Sequence, residues 1–356
     1  MCANQKICLR SLQEIDLNMG LQIGDLVSRR EVTFSDLKGK TIAVDAFNAI
    51  YQFLSSVRQP DGTPLMDSSG NVTSHLSGLF YRNVALISEG LKLIYVFDGE
   101  YNALKNKTHE IRQAAKDSMD EKYEEAVDEE DVEAMGKYAR GTGKLTSEMI
   151  AESKELLEAM GIAVVQAPGE GEMQCAEFVK NGQAYAVGSQ DYDAVVVGAT
   201  RLIQNLTLSR KRKTVSGFIY IAPEMIEFEG VINQLGITAD QLICLAILVG
   251  TDFNPGGVKG IGPKKALELV RRKKHPVSIF EEITERFGDV GFNWREIFEI
   301  FKKPNVSKQR VSFPKFDEAK IKEILVSRHE FSEERIENKL EELRKLRAKS
   351  AQAKLF

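Results

Sequence analysis

The chain has 356 residues, of which 43% are apolar and 28% charged, with 27 glycines and only 9 prolines. This composition is typical of a folded protein with one large or two coupled domains, and it excludes collagen-like, coiled-coil and mostly disordered classes. The formal charge of −4 gives no overall positive field, so nucleic acid would have to bind at local basic patches. No apolar run reaches the roughly 20 residues of a membrane span, and the four cysteines form no C-x-x-C pair. We therefore expect an intracellular protein without a membrane partner.

The first 18 residues differ in pattern from the rest of the chain. They mix charged and apolar residues, so they lack the uninterrupted apolar core of a secretory signal. We interpret residues 1–18 as an extension, and the pair Met19-Gly20 as the opening of the structured chain.

Short β-branched runs followed by helical patterns then recur along the chain. The runs are TIAV at 41–44, LIYVF at 93–97, IAVV at 162–165 and AYAVG at 184–188. Strands that alternate with helices indicate a parallel sheet flanked by helices. The predicted fold class is therefore α/β.

The spacing of these runs also predicts the domain organisation. Residues 19–225 form the α/β core, and the Glu-, Lys- and Ala-rich stretch at about 99–150 reads as inserted helices, because it is too long for an ordinary connection. Residues 226–340 have a helical pattern and read as a separate helical region. Residues 341–356 form a tail.

Acidic residues follow the strands at the point where each one ends. They are Asp45, Asp98, Glu170, Glu172, Asp191 and Asp193, and Asp252 after an apolar helix is a seventh candidate. Any one of them could simply cap a helix or face solvent. Because the carboxyl ends of parallel strands share one edge, however, the set is expected to converge. Clustered oxygen ligands without His or Cys partners suit two Mg²⁺ ions, for which Mn²⁺ may substitute, and such a pair can drive phosphodiester hydrolysis.

A basic, glycine-containing segment is the best candidate for binding nucleic acid. In GVKGIGPKKALELVRRKKH, the glycines Gly260 and Gly262 precede a proline at the start of a helix, where backbone N–H groups can meet a phosphate. Lys259, Lys264 and Lys265 surround them. The alternative is a tight interhelical turn followed by a solvated basic face.

Three further side chains are candidates for contacts with the substrate. Lys105 and Arg112 lie at helical spacing just after Asp98, and they are either phosphate-binding groups or solvated helix charges. Tyr51 follows Asp45 on the first helix and is either a stacking platform for an unpaired base or a core tyrosine.

The ordered motifs VDAFNAIYQFL, SHLSGLFYR, YVFDG, APGEGEMQCA, GSQDYD, LVGTDF, GIGPKKA and FSEERI resemble the flap endonucleases of the structure-specific 5′ nuclease superfamily. The resemblance extends from about Met19 to Leu340. It implies a PIN-like nuclease core, a helical arch, and a helix-two-turn-helix that binds duplex DNA with a K⁺ ion. The implied reaction is Mg²⁺-dependent removal of 5′ flaps from branched DNA in lagging-strand maturation and repair.

The resemblance also implies roles for individual residues. The seven carboxylates match the family's metal site, Lys105 and Arg112 match the arch residues that steer the scissile phosphate, and Tyr51 matches its stacking tyrosine. Arg58 matches an arginine of the pocket for a single 3′-flap nucleotide. The loop between Asp252 and Gly260 is one residue longer than in eukaryotic relatives, which leaves the K⁺ ligands open.

The ends of the chain depart from the family pattern. Gln352, Leu355 and Phe356 form a shortened version of the family's sliding-clamp peptide, and the alternative is a frayed tail. The missing basic extension resembles archaeal members, which implies a cytoplasmic or nucleoid location if the chain is archaeal and a nuclear one if it is eukaryotic. Family members begin at a Met-Gly pair, so we expect translation to start at Met19. We also expect a monomer.

Other functions fit the same carboxylates. A junction resolvase or a 5′ exonuclease of the same superfamily would share all seven, and an arch carrying Lys105 and Arg112 favours the flap endonuclease. A noncatalytic DNA-junction or clamp scaffold is the alternative from another class. No metal-site position is substituted, which counts against the scaffold.

Overall fold

A seven-stranded mixed sheet forms the centre of the computed structural model, which describes residues 21, 23–59, 61–100, 102–128, 138, 143–207, 211–214 and 217–352. Its strands are β1 (Arg30–Glu31), β2 (Thr41–Asp45), β3 (Lys92–Phe97), β4 (Ala163–Gln166), β5 (Ala186–Gly188), β6 (Arg201–Gln204) and β9 (Glu224–Glu227), in the order β1-β9-β6-β5-β2-β3-β4. A separate hairpin pairs β7 (Lys211–Thr214) with β8 (Gly217–Tyr220).

The five strands from β6 to β4 are parallel, which confirms the predicted α/β class. Strand β2 lies in the middle, with β3 on one side and β5 on the other, so the strand order reverses there. All of β3 after its first residue is buried, as expected for a strand covered by helices on both faces. The reversal point is where open α/β sheets bind ligands.

The antiparallel edge was not expected from the sequence. Strand β9 pairs with β6, where Leu202 opposes Ile226, and with β1, where Arg30 opposes Met225. The helical pattern predicted from residue 226 therefore begins two residues later, at Phe228. The predicted domain boundary between residues 225 and 226 lies inside this strand.

Helices cover both faces of the sheet. They are α1 (Ala46–Ser56), α2 (Ser74–Ser88), α3 (Asn106–Asp128), α4 (Ser147–Ala159), α5 (Gly171–Lys180), α6 (Asp193–Val196), α7 (Phe228–Leu235), α8 (Ala239–Val249), α9 (Pro263–Lys273), α10 (Pro276–Phe287), α11 (Trp294–Lys302), α12 (Glu318–Lys322) and α13 (Glu333–Gln352). Short 3₁₀ helices occupy Gly24–Leu26 and Ala103–Lys105, and Glu323–Arg328 is a π-helix. Helix α3 lies within the predicted insertion.

Two apolar cores lie on opposite faces of the sheet. One contains Phe178 of α5, Leu245 of α8 and Phe280 of α10. The other contains Phe53 of α1 and, from the far end of the chain, Leu340 of α13. The C-terminal residues are therefore divided between the two faces, because α8 to α11 pack on one and α12 and α13 return to the other.

Helices α7 and α8 are the most apolar pair in the described part of the chain. Within that part, no single helix is long and apolar enough to cross a membrane. Taken together, α7 and α8 have the length and composition of a membrane span, but they are bent by 80° relative to each other. The side chains of α8 from Gln241 to Leu248 are buried in the protein.

An ion-pair network links the segment just before α13 to α4 and to the loop between α1 and α2. His329 lies between two carboxylates, with its Nδ1 2.9 Å from Asp67 and its Nε2 2.9 Å from Glu152. Burial lowers the pKa of His329, but the hydrogen bonds to Asp67 and Glu152 outweigh it, and the pKa is raised. Both ring nitrogens can donate only in the imidazolium form.

Replacing His329 with glutamine is expected to lower the free energy of unfolding by about 2 kcal/mol at pH 5.5. A histidine whose pKa is raised on folding stabilises fully below its unfolded pKa, near 6.5, and the contribution is lost as the pH rises through the folded pKa. The deficit should therefore shrink between pH 6.5 and 8.5 in urea unfolding. The exposed His275 provides the control, because the His275→Gln change should have little effect at either pH. An equal deficit at both pH values would contradict the ion-pair explanation.

Candidate active site

The first two carboxylates lie at the ends of neighbouring strands. Asp45 ends β2 and also caps α1, since its Oδ1 accepts a hydrogen bond of 3.1 Å from the backbone N–H of Asn48. Asp98 follows β3, and its Oδ1 accepts a 2.7 Å bond from the backbone N–H of Gly171. That contact ties the end of β3 to the start of α5, where Glu170 and Glu172 lie.

Polar side chains that the sequence did not single out orient the remaining carboxylates. Ser189 Oγ donates to Glu172 Oε1 at 2.9 Å, and Asn48 Nδ2 donates to Asp191 Oδ2 at 3.2 Å. Asn48 lies three residues after Asp45, on the first turn of α1. That spacing was the available sequence signal, because a side chain there lies beside its own cap residue and faces the same edge of the sheet.

Burial and mutual repulsion both raise the pKa values of the carboxylates in the site. Burial and the neighbouring Asp191 and Asp45 carboxylates raise the pKa of Glu172 well above its ordinary value. Burial and the carboxylates of Asp45 and Glu170 raise the pKa of Asp98 to about 7. Asp98 is open to solvent on one side, so we give repulsion more weight than burial there. The edge therefore needs positive charge if its carboxylates are to ionise together.

The arch candidates supply part of that charge. Lys105 Nζ forms an ion pair with Glu170 and lies 3.6 Å from Asp252 Oδ2, and Arg112 Nη2 lies 2.7 Å from Asp252 Oδ1. Lys105 Nζ also lies 5.2 Å from the centre of the Phe253 ring. Both cations thus lie beside the carboxylates, with side chains that are 15% exposed for Lys105 and 32% exposed for Arg112.

The donor chemistry of the edge fits a hard divalent cation. The seven predicted metal-binding residues contribute only carboxylate oxygens, and the buried Oδ1 of Asp193 has no hydrogen-bond partner among the described residues. Burial and the Asp252 carboxylate raise the pKa of Asp193 to about 7. Among the described residues, no group of three or more acidic, histidine or cysteine side chains is arranged to hold a metal ion without rearrangement.

Tyr51 and Arg58 lie on or just after α1. Tyr51 is half-buried against the apolar core, and Lys116 Nζ lies 4.8 Å above its ring. Arg58 donates from Nε to the carbonyl of Leu54 and from Nη1 to that of Gly62, each at 2.9 Å. The Arg58 guanidinium therefore connects the last turn of α1 to the loop that follows it.

The glycine hairpin, which we define as residues 260–262, lies just before α9. Gly260 has φ +87°, and a Cβ built at either Gly260 or Gly262 would meet no atom within 4 Å, so the backbone is open to a close approach. Lys265 Nζ donates to the carbonyl of Gly260 at 3.2 Å, and Lys259 and Lys264 are exposed. In the preceding loop, Asn254 accepts from Thr251 Oγ1 at 2.7 Å.

The predicted clamp peptide cannot be placed. Leu355 and Phe356 lie outside the described residues, and Gln352 is described only as the last residue of α13. The predicted boundary between residues 340 and 341 lies inside that helix.

Comparison with known proteins gives matches over most of the chain. The XPG N-terminal domain matches residues 19–119 and the XPG I-region matches residues 161–252. The chain is 46% identical over 333 residues to flap endonuclease 1 of Aeropyrum pernix, covering 92% of this chain and 95% of that protein. It is 48% identical over 330 residues to flap endonuclease 1 of Pyrococcus abyssi, with 92% and 94% covered.

A solved structure agrees with these matches. The flap endonuclease-1 from Methanococcus jannaschii has a TM-score of 0.73 and 39% identity, and the alignment covers 93% of this chain and 100% of that one. The similarities confirm the nuclease function predicted from the motifs and do not favour a resolvase, a 5′ exonuclease or a noncatalytic scaffold. With relatives this similar along nearly their whole length, the chain belongs to the flap endonuclease 1 family of structure-specific nucleases.

Proposed function

We propose that this chain hydrolyses a phosphodiester bond where a 5′ single strand meets duplex DNA, and that it removes 5′ flaps in lagging-strand maturation and repair. The observation that carries the proposal is the gathering of six carboxylates from four strand ends, with Lys105 paired to both Glu170 and the seventh, Asp252. The names of the relatives support the same substrate class.

Two Mg²⁺ ions, or Mn²⁺ in their place, complete the proposed site. Asp98 is repelled by Asp45 and Glu170, and Asp191 is repelled by Asp193, Asp252 and Asp45. Glu172 is repelled by Asp191, Asp45 and Asp193, so the carboxylates repel one another across the whole set. When bound, such ions activate water at neutral pH and stabilise the leaving oxygen of an in-line displacement.

The side chains around the carboxylates would position the substrate. Lys105 and Arg112 would exchange their carboxylate partners for the oxygens of the scissile phosphate and stabilise its developing charge. Tyr51 would offer its ring to an unpaired base in place of the Lys116 ammonium. Arg58 would contact a single 3′-flap nucleotide.

One gel tests the proposed reaction. It compares 5′-flap, nicked, four-way junction and blunt duplex substrates, each with Mg²⁺ and with EDTA. Metal-dependent cutting of the flap substrate above all others is expected. Preference for the four-way junction or for the nicked duplex would identify a resolvase or a 5′ exonuclease instead, and no cutting would identify a scaffold.

Duplex binding is assigned to residues 226–340 and, within them, to the glycine hairpin with a K⁺ ion. Support comes from the open backbone at Gly260 and Gly262 and from the exposed Lys259 and Lys264. Residues 19–225 would form the nuclease core, with an arch at about 99–150.

Changing Lys264 and Lys265 together to alanine should weaken binding of flap DNA and reduce its salt dependence. Removing one cation from a phosphate lowers the slope of log K against log salt by about 0.9, so the double change should lower it by nearly 2. Equilibrium titrations from 50 to 300 mM salt measure the slope. Lys38→Ala with Lys92→Ala removes two exposed lysines before β2 and at the start of β3, away from the carboxylate edge, and should leave the slope unchanged. An unchanged slope in the Lys264/Lys265 variant would remove the hairpin from the DNA interface.

The tail is the proposed contact with a sliding clamp, through Gln352, Leu355 and Phe356. The support is the sequence pattern alone. The protein is proposed to act as a monomer, since the seven carboxylates and both arch cations come from one chain.

A further inference from the structure

A single buried carboxylate in the second half of the chain holds three cations. Glu282 on α10 is only 6% exposed at its side chain. Its Oε1 lies 2.6 Å from Arg272 Nη2 and 2.5 Å from Arg286 Nη2, and its Oε2 lies 3.1 Å from Lys273 Nζ. Arg272 and Lys273 belong to the last turn of α9, so the cluster joins two helices.

The three cations remain available to an external anion although they share a partner. Their side chains are 55%, 36% and 60% exposed for Arg272, Lys273 and Arg286. Three positive charges against one negative leave the cluster at net +2. Long basic side chains lose rotamer freedom when they bind a phosphate, and a buried carboxylate that already fixes them reduces that loss.

The cluster lies beside the glycine hairpin. Arg272 and Arg286 line the same surface groove as Gly260, Ile261 and Lys265. Glu268 is the only acid among the groove residues, against three cations. The groove residues therefore carry more positive than negative charge, and they include the backbone of Gly260, which is open to a phosphate.

We propose that Arg272, Lys273 and Arg286, held in position by Glu282, form a second phosphate-binding surface that contacts the duplex backbone next to the stretch contacted by the hairpin. The proposal rests on the proposed binding of duplex DNA. It makes Glu282 a positioning residue, because its side chain is buried beneath the cations. The competing explanation is that the four side chains only hold α9 against α10.

Changing Arg272 and Arg286 together to alanine tests the surface. The slope of log K against log salt for flap DNA should fall by nearly 2, at about 0.9 for each phosphate that is no longer neutralised. The two duplex arms of the substrate are also shortened stepwise, one at a time. For the arm that the surface contacts, the affinity of the double variant should no longer depend on arm length. The control removes Lys339 and Lys345, two cations on α13 on the other face of the sheet, and should change neither quantity.

Glu282→Gln separates positioning from charge. The substitution raises the local charge by one, so a surface that acts through net charge alone would bind DNA more tightly. If Glu282 fixes the geometry of the three cations, binding should weaken about tenfold or more despite the added charge. Tighter or equal binding would overturn the positioning role, and an unchanged slope in the arginine double variant would overturn the surface itself.

Two measurements keep these outcomes distinct from other failures. Thermal melting of each variant reports disruption of the α9–α10 packing. A variant with a lower melting temperature but the same salt slope as the unchanged chain supports the purely structural explanation. The unchanged chain must cut the 5′ flap in the same assay. If it binds duplex DNA with the predicted slope but does not cut, the proposed function fails and the binding surface stands.

Discussion

Replacing Asp191 with alanine is expected to lower the single-turnover rate of flap cleavage about a thousand-fold, with flap DNA bound at least as tightly as before. A bound divalent ion supplies several kcal/mol of transition-state stabilisation, and each 1.36 kcal/mol corresponds to a factor of about ten. Asp191 is surrounded by Asp193, Asp252 and Asp45, so its removal takes a ligand from the site and reduces repulsion of the phosphate backbone.

Rapid-quench measurement at saturating enzyme gives the rate, and fluorescence anisotropy in Ca²⁺ gives the affinity. Asp98→Ala should behave in the same way, because Asp98 is repelled by Asp45 and Glu170 and its removal takes a proposed ligand from the same edge. Asp240→Ala is the matched control, since Asp240 lies at the start of α8, is paired with Lys302 on the surface and should leave the rate unchanged. Full-rate cleavage by the Asp191 or Asp98 variant would remove the carboxylates from the mechanism.

Replacing Lys105 or Arg112 with alanine should lower the single-turnover rate about a hundred-fold with a smaller change in affinity. Groups that stabilise charge as it develops contribute mainly to the rate. Because Lys105 forms an ion pair with Glu170, and Arg112 with Asp252, both cations also compete with a metal ion for the same oxygens. The Mg²⁺ concentration for half-maximal rate should therefore fall or stay constant, although the maximal rate drops.

Titrating Mg²⁺ at saturating enzyme separates these two effects. The exposed Lys107, two residues further along, provides a control of equal charge, and Lys107→Ala should change neither quantity. If the Lys105 and Arg112 variants differed from the unchanged chain only in dissociation constant, the two residues would be ordinary phosphate anchors.

The alternation of apolar runs with helical patterns, and the position of acidic residues after those runs, were sufficient to predict the parallel sheet and the edge on which its carboxylates lie. Four of the five parallel strands, β2 to β5, were marked by short apolar runs, and the position of an acid at or just beyond the end of each depends on the chain direction alone. Strand β9 was missed because Glu224–Glu227 is only four residues long and begins directly after a proline. Its place in the sheet depends on pairing with β6, which no local pattern reveals.

Pairings between distant residues could not be read from the sequence. Lys105 and Glu170 are 65 positions apart, and Arg112 and Asp252 are 140 apart. Glu282 was not singled out from the sequence, because its burial and its partners Arg272 and Lys273 depend on the packing of α10 against α9. Asn48 and Ser189 were missed for the same reason, since their partners become neighbours only when the strand ends meet.

The return of α13 to the second apolar core has a consequence for synthesis of the protein. Leu37 and Phe53 share that core with Leu340 and Leu343, which follow much later along the chain. Contacts of such sequence separation form slowly, and they close this face of the sheet only after α13 has emerged from the ribosome. A nascent chain can therefore carry all seven carboxylates while one face of its sheet is still uncovered. Completion of this core therefore depends on the synthesis of α13.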